Sequence, residues 1–325
     1  EYPGIIMPAS DAFVLFLSRF RNDLQAYFNI LLPPVDVLEA IINKRLQYEM
    51  AEKIGIPYSK TFYPETLKDF EQIQKDIEYP AFIKPYCGHL WRDKFGGTHK
   101  GFKVHNAKEL KDRYVEILPT GLQAMVQSII LGPNINHFKV NVYIGKAGKP
   151  LAIFTLRKVR QYPTEFGVGT MVESIHYPEL ADLGLKFFKG IGFRGIGSIE
   201  FKKDDRDGKL KMIELYPRLW QQNCLPTACG INFAILQYLD LSGQNPLPQM
   251  EFEEGIKWWD ALADFESFWE YFRQGKLSPA KWIRSWKGIN SFATFALDDP
   301  GPFFKANEYG LKYLRGPFYV LRNMK

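Results

Sequence analysis

Cysteine is scarce in this 325-residue sequence, which contains only Cys87, Cys224 and Cys229. Their odd number argues against a disulfide framework, and their positions match no metal-ligand spacing. No Asn-x-Ser/Thr acceptor sequence for N-glycosylation occurs either. These absences are typical of the reducing cytosol, so we expect a cytoplasmic protein.

Membrane-spanning and signal segments are also lacking. Two long stretches without charge, 117–138 and 219–239, each contain Pro, Gly, Asn and Gln, which a membrane helix would have to desolvate. The first residues, Glu-Tyr-Pro-Gly, have no signal-peptide pattern. We therefore predict no transmembrane segment.

Charge of one sign is not concentrated anywhere. Lys and Arg (42) exceed Asp and Glu (36) by 6, and the excess is scattered rather than gathered in a basic run. This pattern argues against nucleic-acid binding. The hydrophobic share of 46% and the aromatic share of 15% supply a large core. Both a monomer and an oligomer remain open.

Apolar spacing predicts a mixture of helices and strands. In 44–54, Leu46, Met50 and Ile54 recur every four residues before Gly55, which is typical of an amphipathic helix with a glycine stop. Further helices are predicted at 12–28, 66–77 and 179–189, and strands at 80–85, 123–131, 138–145, 151–158, 195–202 and 209–215. Residues 86–101 are predicted as a loop. The mixture indicates an α+β or α/β protein.

Two carboxylates are predicted to face each other on a hairpin. Because alternate residues of a strand share a face, Ile213 and Leu215 point into the core and Glu214 points away from it. A hairpin centred on Asp207 pairs Glu200 directly with Glu214, with Cβ atoms roughly 4.5–5.5 Å apart. Like charges repel there unless a cation bridges them, and Mg²⁺ commonly binds one or two carboxylates plus phosphates. The pair is a candidate Mg²⁺ site; the alternative is a solvated strand face with ordinary glutamates.

The sequence around these carboxylates resembles a known signature. Ser198-Ile-Glu-Phe-Lys, a turn, and Met212-Ile-Glu-Leu-Tyr-Pro-Arg218 resemble the motif with which the ATP-grasp superfamily holds magnesium and phosphates. The resemblance implies that Glu200 and Glu214 are ligands of one or two Mg²⁺ ions. It also implies that Arg218, an arginine suited to gripping an anion, is a catalytic residue near the transferred phosphoryl group.

Tyr216 is a departure from this motif. The superfamily usually has Asn at this position, whose amide oxygen is a ligand of the metal. A tyrosine removes that ligand and puts an arrangement with two Mg²⁺ ions in question. A nucleotide-binding protein that has lost catalysis is therefore kept as an alternative function.

Two lysines are candidate phosphate ligands. Lys84, in Ala81-Phe-Ile-Lys-Pro85, resembles the strand lysine that contacts the α- and β-phosphates of ATP. Lys44, which opens the helix before Gly55, resembles the earlier phosphate lysine of the superfamily. A compact ammonium group suits phosphate. Without the resemblance, Lys84 would be predicted as a solvated lysine of an edge strand.

Two further segments resemble nucleotide-binding parts of the superfamily. The Gly- and Lys-rich segment 96–101 resembles the loop that folds over the triphosphate, although such a segment alone is more often simply a mobile loop. The segment 125–132 resembles the connection between the two lobes, whose backbone binds adenine. The residues assigned to the cofactor in these segments are Gly96, Gly97, Lys100, Gln127, Ser128 and Ile130.

A cluster of cations in 156–163 contains two more candidate catalytic residues, Arg157 and Arg160. In the superfamily, basic residues of this region approach the γ-phosphate and the acyl acceptor. Because the two arginines are three residues apart, they share a strand face only if the strand ends between them. A surface charge cluster is the alternative.

The resemblance also implies a domain organisation, and it is closest to the uncharacterised carboxylate–amine ligase-like group. An α+β ATP-grasp domain is expected at 44–245, with a small lobe at about 56–128 and a large lobe at about 129–245. Residues 1–43 are expected to form part of a Rossmann-like α/β pre-domain. Residues 246–325 are expected to form an aromatic-rich C-terminal extension.

The function implied by the resemblance is that of a ligase. It would use ATP and Mg²⁺ to join a small-molecule carboxylate to an amine through an acyl-phosphate, releasing ADP and phosphate. A further alternative is docking to a partner or membrane surface through a tryptophan-rich tail. Core packing competes with docking, because these tryptophans alternate with other apolar residues at near-helical spacing. They are Trp258, Trp259, Trp269, Trp282 and Trp286.

Overall fold

Strands and helices follow one another along the chain. The computed structural model describes residues 4–66, 68–96 and 100–305. The strands are β1 Gly4–Ile6, β2 Phe28–Ile30, β3 Thr61–Phe62, β4 Ala81–Pro85, β5 Phe102–Val104, β6 Ala124–Ser128, β7 His137–Ile144, β8 Pro150–Tyr162, β9 Val168–Ser174, β10 Gly195–Lys203, β11 Leu210–Tyr216, β12 Lys257–Trp259 and β13 Ile289–Phe292. The helices are α1 Asp11–Arg19, α2 Arg21–Leu24, α3 Val35–Ile42, α4 Lys44–Ile54, α5 Asp69–Asp76, α6 Gly88–Phe95, α7 Ala107–Ile117, α8 Pro178–Gly190, α9 Cys224–Ala228, α10 Phe233–Leu241, α11 Ala261–Arg273 and α12 Pro279–Arg284.

The described residues form two compact units. The first contains 4–155, 177–220 and 232–250, and the second contains 156–176, 221–231 and 251–305. Strand β8 gives its first residues to the first unit and its last residues to the second. The domain boundaries expected at 43/44 and 245/246 remain predictions.

A small antiparallel sheet of the first unit has the strand order β3-β6-β4-β5. One of its faces is covered by α5, α6 and α7, with Ile83, Tyr114 and Val126 in the core. Because side chains alternate along a strand, Lys84 and Gln127 lie on the opposite face. The small sheet therefore presents a predicted phosphate ligand and part of the predicted adenine segment on one surface.

A larger sheet of the first unit runs in the order β11-β10-β7, followed by the first part of β8. Helices α8 and α10 pack on it, and Phe187, Phe188 and Ile199 are buried there. The approach is close, since a Cβ added at Gly184 would lie 2.7 Å from a methyl group of Val140. The core lies on this face, which leaves the polar side chains of β7, β10 and β11 on the other.

The first 43 residues contain β1 and β2, which pair in parallel and are joined by α1 and α2. Val14, Leu17, Ile30 and Leu38 form their core. The predicted single helix 12–28 is wrong beyond α2, because the chain turns there into β2. The assignment of this segment to a partial Rossmann-like pre-domain remains a prediction.

The predicted helix 44–54 is confirmed as α4. The side-chain oxygen of Asn43 accepts hydrogen bonds from the backbone N–H groups of Arg45 and Leu46, and Gly55 ends the helix with φ +72°. The predicted loop 86–101 is wrong in its first half, because α6 forms there. Helix α6 places Trp91 in the core of the small sheet, and this burial outweighs the loop-forming residues around it.

In the second unit, the last part of β8 is followed in the sheet by β9, β12 and β13. Helix α9 packs on β12 and β13, and α11 packs on β9. Trp258 is fully buried, and Trp282 stacks on Phe268 with ring centroids 4.3 Å apart. None of the five tryptophans between residues 257 and 287 is exposed. Their burial favours core packing over the docking surface considered above.

Candidate active site

The two predicted metal ligands face each other across the β10–β11 hairpin. Glu200 and Glu214 are direct partners in the antiparallel register, as the hairpin geometry predicts. Beyond them the register shifts, and Phe201 pairs with Met212. The expectation that Ile213 points into the core is therefore wrong: Met212 is fully buried, whereas Ile213 is the extra residue of a β-bulge and is only half-buried.

The Glu200 carboxylate has two basic partners on the neighbouring strand β7. Lys139 Nζ lies 2.9 Å from Oε1, and His137 Nε2 lies 2.7 Å from Oε2. Lys139 is the residue of β7 that pairs with Glu200 in the ladder. The sheet itself thus supplies the cation that offsets this buried negative charge.

The Glu214 carboxylate is balanced from helix α4 instead. Lys44 Nζ lies 2.6 Å from Oε1, and the Tyr216 hydroxyl donates to Oε2 at 2.8 Å. Burial favours the neutral amine, but attraction to Glu214 outweighs it and raises the pKa of Lys44 above its ordinary value. Burial also opposes ionisation of Glu214, yet Lys44 holds the pKa of that carboxyl below its usual range. The pair is therefore ionised at neutral pH.

Lys84 is the second phosphate candidate, and it is buried rather than solvated. Its ammonium donates to the Tyr48 hydroxyl at 2.8 Å. Burial and the nearby charge of Lys44 lower the pKa of Lys84 to about 7, and Glu214 partly offsets the shift. An anion bound here would restore the charged form, because an opposite charge favours the ammonium.

Arg218 contacts other protein groups. Its guanidinium is paired with Asp11 at 2.5 Å and lies 5.1 Å from the centre of the Tyr216 ring. Tyr216, which stands where the superfamily usually has Asn, thus contacts both Glu214 and Arg218. The proposed role of Arg218 at the transferred phosphoryl group stays a prediction.

The predicted adenine segment lies at the end of β6. Gln127 donates to the Thr61 hydroxyl at 2.7 Å, and the Ser128 carbonyl accepts from the Ser59 hydroxyl at 2.5 Å. Ile130 is buried. These contacts tie the segment to the chain around β3, and its role in binding adenine stays a prediction.

The glycine segment is described in part. Gly96 has φ +93°, a left-handed conformation that favours glycine. Lys100 is exposed, and Gly97 lies outside the described residues. A Cβ at Gly101 would lie 2.1 Å from the Ile83 carbonyl oxygen, so only glycine fits against β4 there.

Arg157 and Arg160 belong to the second unit. Strand β8 does not end between them, and its register with β9 shifts on either side of Arg160. Arg157 is paired with Glu173 at 2.7 Å, and Arg160 is buried against Asp264 at 2.7 Å. A catalytic role for either arginine stays a prediction, and for Arg160 it would require breaking a buried ion pair.

The carboxylate pair fits Mg²⁺ by its chemistry. Among the described residues, no group of three or more His, Cys, Asp or Glu side chains is gathered as a metal site. Glu200 and Glu214 would supply two hard oxygen ligands, and Mg²⁺ commonly takes its other ligands from phosphates and water. The lysines and the tyrosine on these carboxylates hold them in place when no cation is between them.

Sequence reasoning missed several residues of this site: Tyr48, His137, Lys139 and Asp11. Polar residues at alternate positions of the apolar strand β7 signal His137 and Lys139, since both then face one side. Tyr48 is one helical turn from Lys44, so both lie on one helix face. Asp11 comes from the first helix, and no local pattern connects it with Arg218.

Known proteins similar to this chain are ligases and carboxylases. No protein-family profile matches it. D-aspartate ligase from Enterococcus faecium (strain Aus0004) is 25% identical over 240 residues, which cover 71% of this chain and 56% of that protein. D-alanine–D-alanine ligase B from Clostridium tetani (strain Massachusetts / E88) is 22% identical over 204 residues, covering 57% and 53%. This chain therefore spans little more than half the length of these relatives.

A solved structure shares the fold. The biotin carboxylase domain of Hydrogenobacter thermophilus 2-oxoglutarate carboxylase, solved with MgADP, ADP and bicarbonate, matches with a TM-score of 0.61 and 18% identity. The match covers 78% of this chain and 57% of that one. The chain is similar in sequence to ATP-grasp ligases and has the α+β ATP-grasp fold that its motifs predicted. Within the described residues, no helix combines the length and apolar character needed to cross a membrane.

Proposed function

We propose that the chain is an ATP-dependent ligase that joins a carboxylate to an amine through an acyl-phosphate, releasing ADP and phosphate. One observation carries the proposal: Glu200 and Glu214 face each other across the hairpin, Lys44 forms an ion pair with Glu214, and the buried Lys84 lies near both Lys44 and Glu214. The lysines suit the negative charge of a triphosphate, and the carboxylates suit a hard divalent cation.

The side chains have separate roles in phosphoryl transfer. Lys44 and Lys84 bind phosphate oxygens, and Glu200 and Glu214 hold Mg²⁺. When bound, Mg²⁺ offsets the charge that develops on the transferring phosphoryl group. Arg218 lies beyond Glu214 on the same chain segment, where it would meet the transferred group or the substrate carboxylate. Other contacts proposed for the cofactor come from Gly96, Gly97, Lys100, Gln127, Ser128 and Ile130, and for catalysis from Arg157 and Arg160.

The substrates proposed are a small carboxylic acid and an amine. Two sequence relatives are named as ligases of D-aspartate and of D-alanine with D-alanine, which supports amino acids as candidates for either role. We also propose a cytoplasmic location, because Cys87, Cys224 and Cys229 are all free thiols, as expected in a reducing compartment.

ADP release against a panel of amino acids and small acids tests the proposal. We expect release that needs Mg²⁺ and rises when an acid and an amine are present together. Binding of Mg-ATP without ADP release for any pair would instead support the nucleotide-binding protein without catalysis. That alternative is favoured by one observation, the Tyr216 hydroxyl on Glu214 where an amide ligand is usual. A folded protein that binds no ATP would contradict both functions.

A further inference from the structure

Helix α4 packs against strand β11, which is the last strand of its sheet. The Gln47 side chain makes both hydrogen bonds that a neighbouring strand would make with Leu215. Its Oε1 accepts from the Leu215 N–H at 3.0 Å, and its Nε2 donates to the Leu215 carbonyl at 3.2 Å. Gln47 is buried, as is expected for an amide with both ends bonded. The helix and the strand that carries Glu214 are thus joined at the backbone.

The β-bulge creates a second point of contact. Ile213 is left without a paired residue in β10. The Tyr48 hydroxyl donates to the Ile213 carbonyl at 2.6 Å. This hydrogen bond ties Tyr48 to the bulge that precedes Glu214.

The same hydroxyl holds Lys84. A tyrosine hydroxyl has one hydrogen. The Ile213 carbonyl at 2.6 Å is a closer acceptor for it than the Gln127 side-chain oxygen at 3.4 Å, and the hydroxyl oxygen accepts from the Lys84 ammonium at 2.8 Å. No carboxylate forms an ion pair with Lys84 in the described part of the chain. Tyr48 is fully buried and stacks on Tyr58 with ring centroids 5.1 Å apart, so its hydroxyl is a fixed acceptor.

We propose that Tyr48 is a positioning residue that holds the Lys84 ammonium for the nucleotide phosphates and fixes it to the strand of Glu214. The inference rests on the proposed function, because it gives Lys84 a phosphate to bind. One helix face then sets both phosphate lysines: Lys44 binds Glu214 directly, and Tyr48, one turn later, holds Lys84.

Tyr48→Phe tests this role, because it removes only the hydroxyl and keeps the buried ring. Tyr114→Phe is the matched control: Tyr114 is also buried, and its hydroxyl donates to the Ala124 carbonyl at 2.9 Å in the core of the small sheet. Dissociation constants for ATP, ADP and adenosine are measured by calorimetry for each protein. Adenosine has no phosphate, so its affinity distinguishes a defect in phosphate positioning from loss of the whole site.

We expect Tyr48→Phe to weaken ATP and ADP roughly 10-fold, the effect of losing one hydrogen bond to a charged group, with adenosine unchanged. Tyr114→Phe should bind all three like the parent protein. In a Lys84→Met background, Tyr48→Phe should cause no further loss, because the group that it positions is gone.

Three results would overturn the inference: unchanged ATP affinity in Tyr48→Phe, an equal loss for adenosine, or a further full loss in the Lys84→Met background. A parent protein that binds neither ATP nor ADP would contradict the proposed function itself. The two failures are therefore distinguishable.

Discussion

Glu200 and Glu214 are direct cross-strand partners, yet each is neutralised from a different element of the fold. Glu200 is bonded to Lys139 of the next strand, and Glu214 to Lys44 of helix α4. Two carboxylates so close would raise each other's pKa values without such cations. The two lysines offset this repulsion and hold the carboxylates in register.

Glu214→Gln is expected to abolish turnover while the protein stays folded. The substitution keeps the shape of the side chain but removes one of two hard anionic ligands and the partner of Lys44. A fall in kcat of at least ~100-fold, about 2.7 kcal/mol, is expected. ADP release at saturating Mg-ATP measures it. Glu49→Gln, which breaks only the exposed ion pair with Arg45, should behave like the parent. Normal ADP release from folded Glu214→Gln would refute the metal assignment.

Arg218→Ala should lower kcat by roughly 100-fold with little change in the KM for ATP, if the guanidinium stabilises charge that appears during transfer. The alternative is that Arg218 serves only its ion pair with Asp11, which then contributes at most about 1 kcal/mol to stability. Asp11→Asn distinguishes the catalytic role from the ion-pair role. It breaks the same pair but keeps the guanidinium, so its kcat should stay near that of the parent. Equal kinetics for both variants would reject the catalytic role.

Lys84→Met is expected to stabilise the nucleotide-free protein at pH 7 and to lose that advantage toward pH 10. The pKa of Lys84 is lowered from 10.5 to about 7, so folding costs free energy at any pH where the unfolded chain holds the proton. This cost is fully present below pH 7 and disappears as pH rises through 10. The gain at pH 7 should be ~1–2 kcal/mol, measured by urea unfolding.

The control for this pH trend is Lys211→Met. Burial opposes the charge of Lys211, but its ion pair with Asp204 outweighs this and raises the pKa. A raised pKa contributes stability below the unfolded value of about 10.4, and that stability is lost as pH rises further. Lys211→Met should therefore destabilise the protein at pH 7. Two results would contradict the lowered pKa of the buried Lys84. One is a Lys84→Met protein that is less stable than the parent, and the other is a gain in stability that does not change with pH.

Local geometry explains what the sequence could predict about the site. Glu200 and Glu214 lie on two strands joined by a short turn at Gly208, so strand alternation alone brings them together. The bounds of helix α4 were predictable from its apolar period and its Gly55 stop, but its buried face was not: Leu46 of that period is exposed, and Gln47, Tyr48 and Ala51 are the buried residues.

Long-range contacts explain what the sequence could not predict. Lys139 meets Glu200 only because β7 and β10 pair across some 60 residues of chain, and register between distant strands leaves no local trace. Tyr48 gains its role from a bulge at Ile213 that one extra residue creates. The partner of Arg160 comes from helix α11, in the segment that was expected to be a separate extension.

Asp264 gives the last prediction, because it decides between structure and catalysis for Arg160. Its carboxylate is fully buried and accepts five hydrogen bonds. The donors are Arg160 Nε at 2.7 Å, Arg160 Nη2 at 2.8 Å, the Thr170 hydroxyl at 3.0 Å, Trp259 Nε1 at 2.9 Å and Trp282 Nε1 at 2.8 Å. This one carboxylate therefore joins β8, β9, β12 and two helices of the second unit.

Asp264→Asn should destabilise the protein by roughly 3–5 kcal/mol, because it leaves the buried Arg160 charge uncompensated and turns an amide N–H toward existing donors. The measurement is the midpoint of urea unfolding, with tryptophan fluorescence as the signal. Glu173→Gln is the matched control: it breaks the more exposed pairs with Arg157 and Lys257 and should cost no more than about 1 kcal/mol. If Arg160 instead acts on substrate, Asp264→Asn should leave the midpoint near that of the parent and change kcat. A large stability loss would assign Arg160 to the core of the second unit, since a guanidinium bound so tightly to Asp264 is not free to reach a substrate.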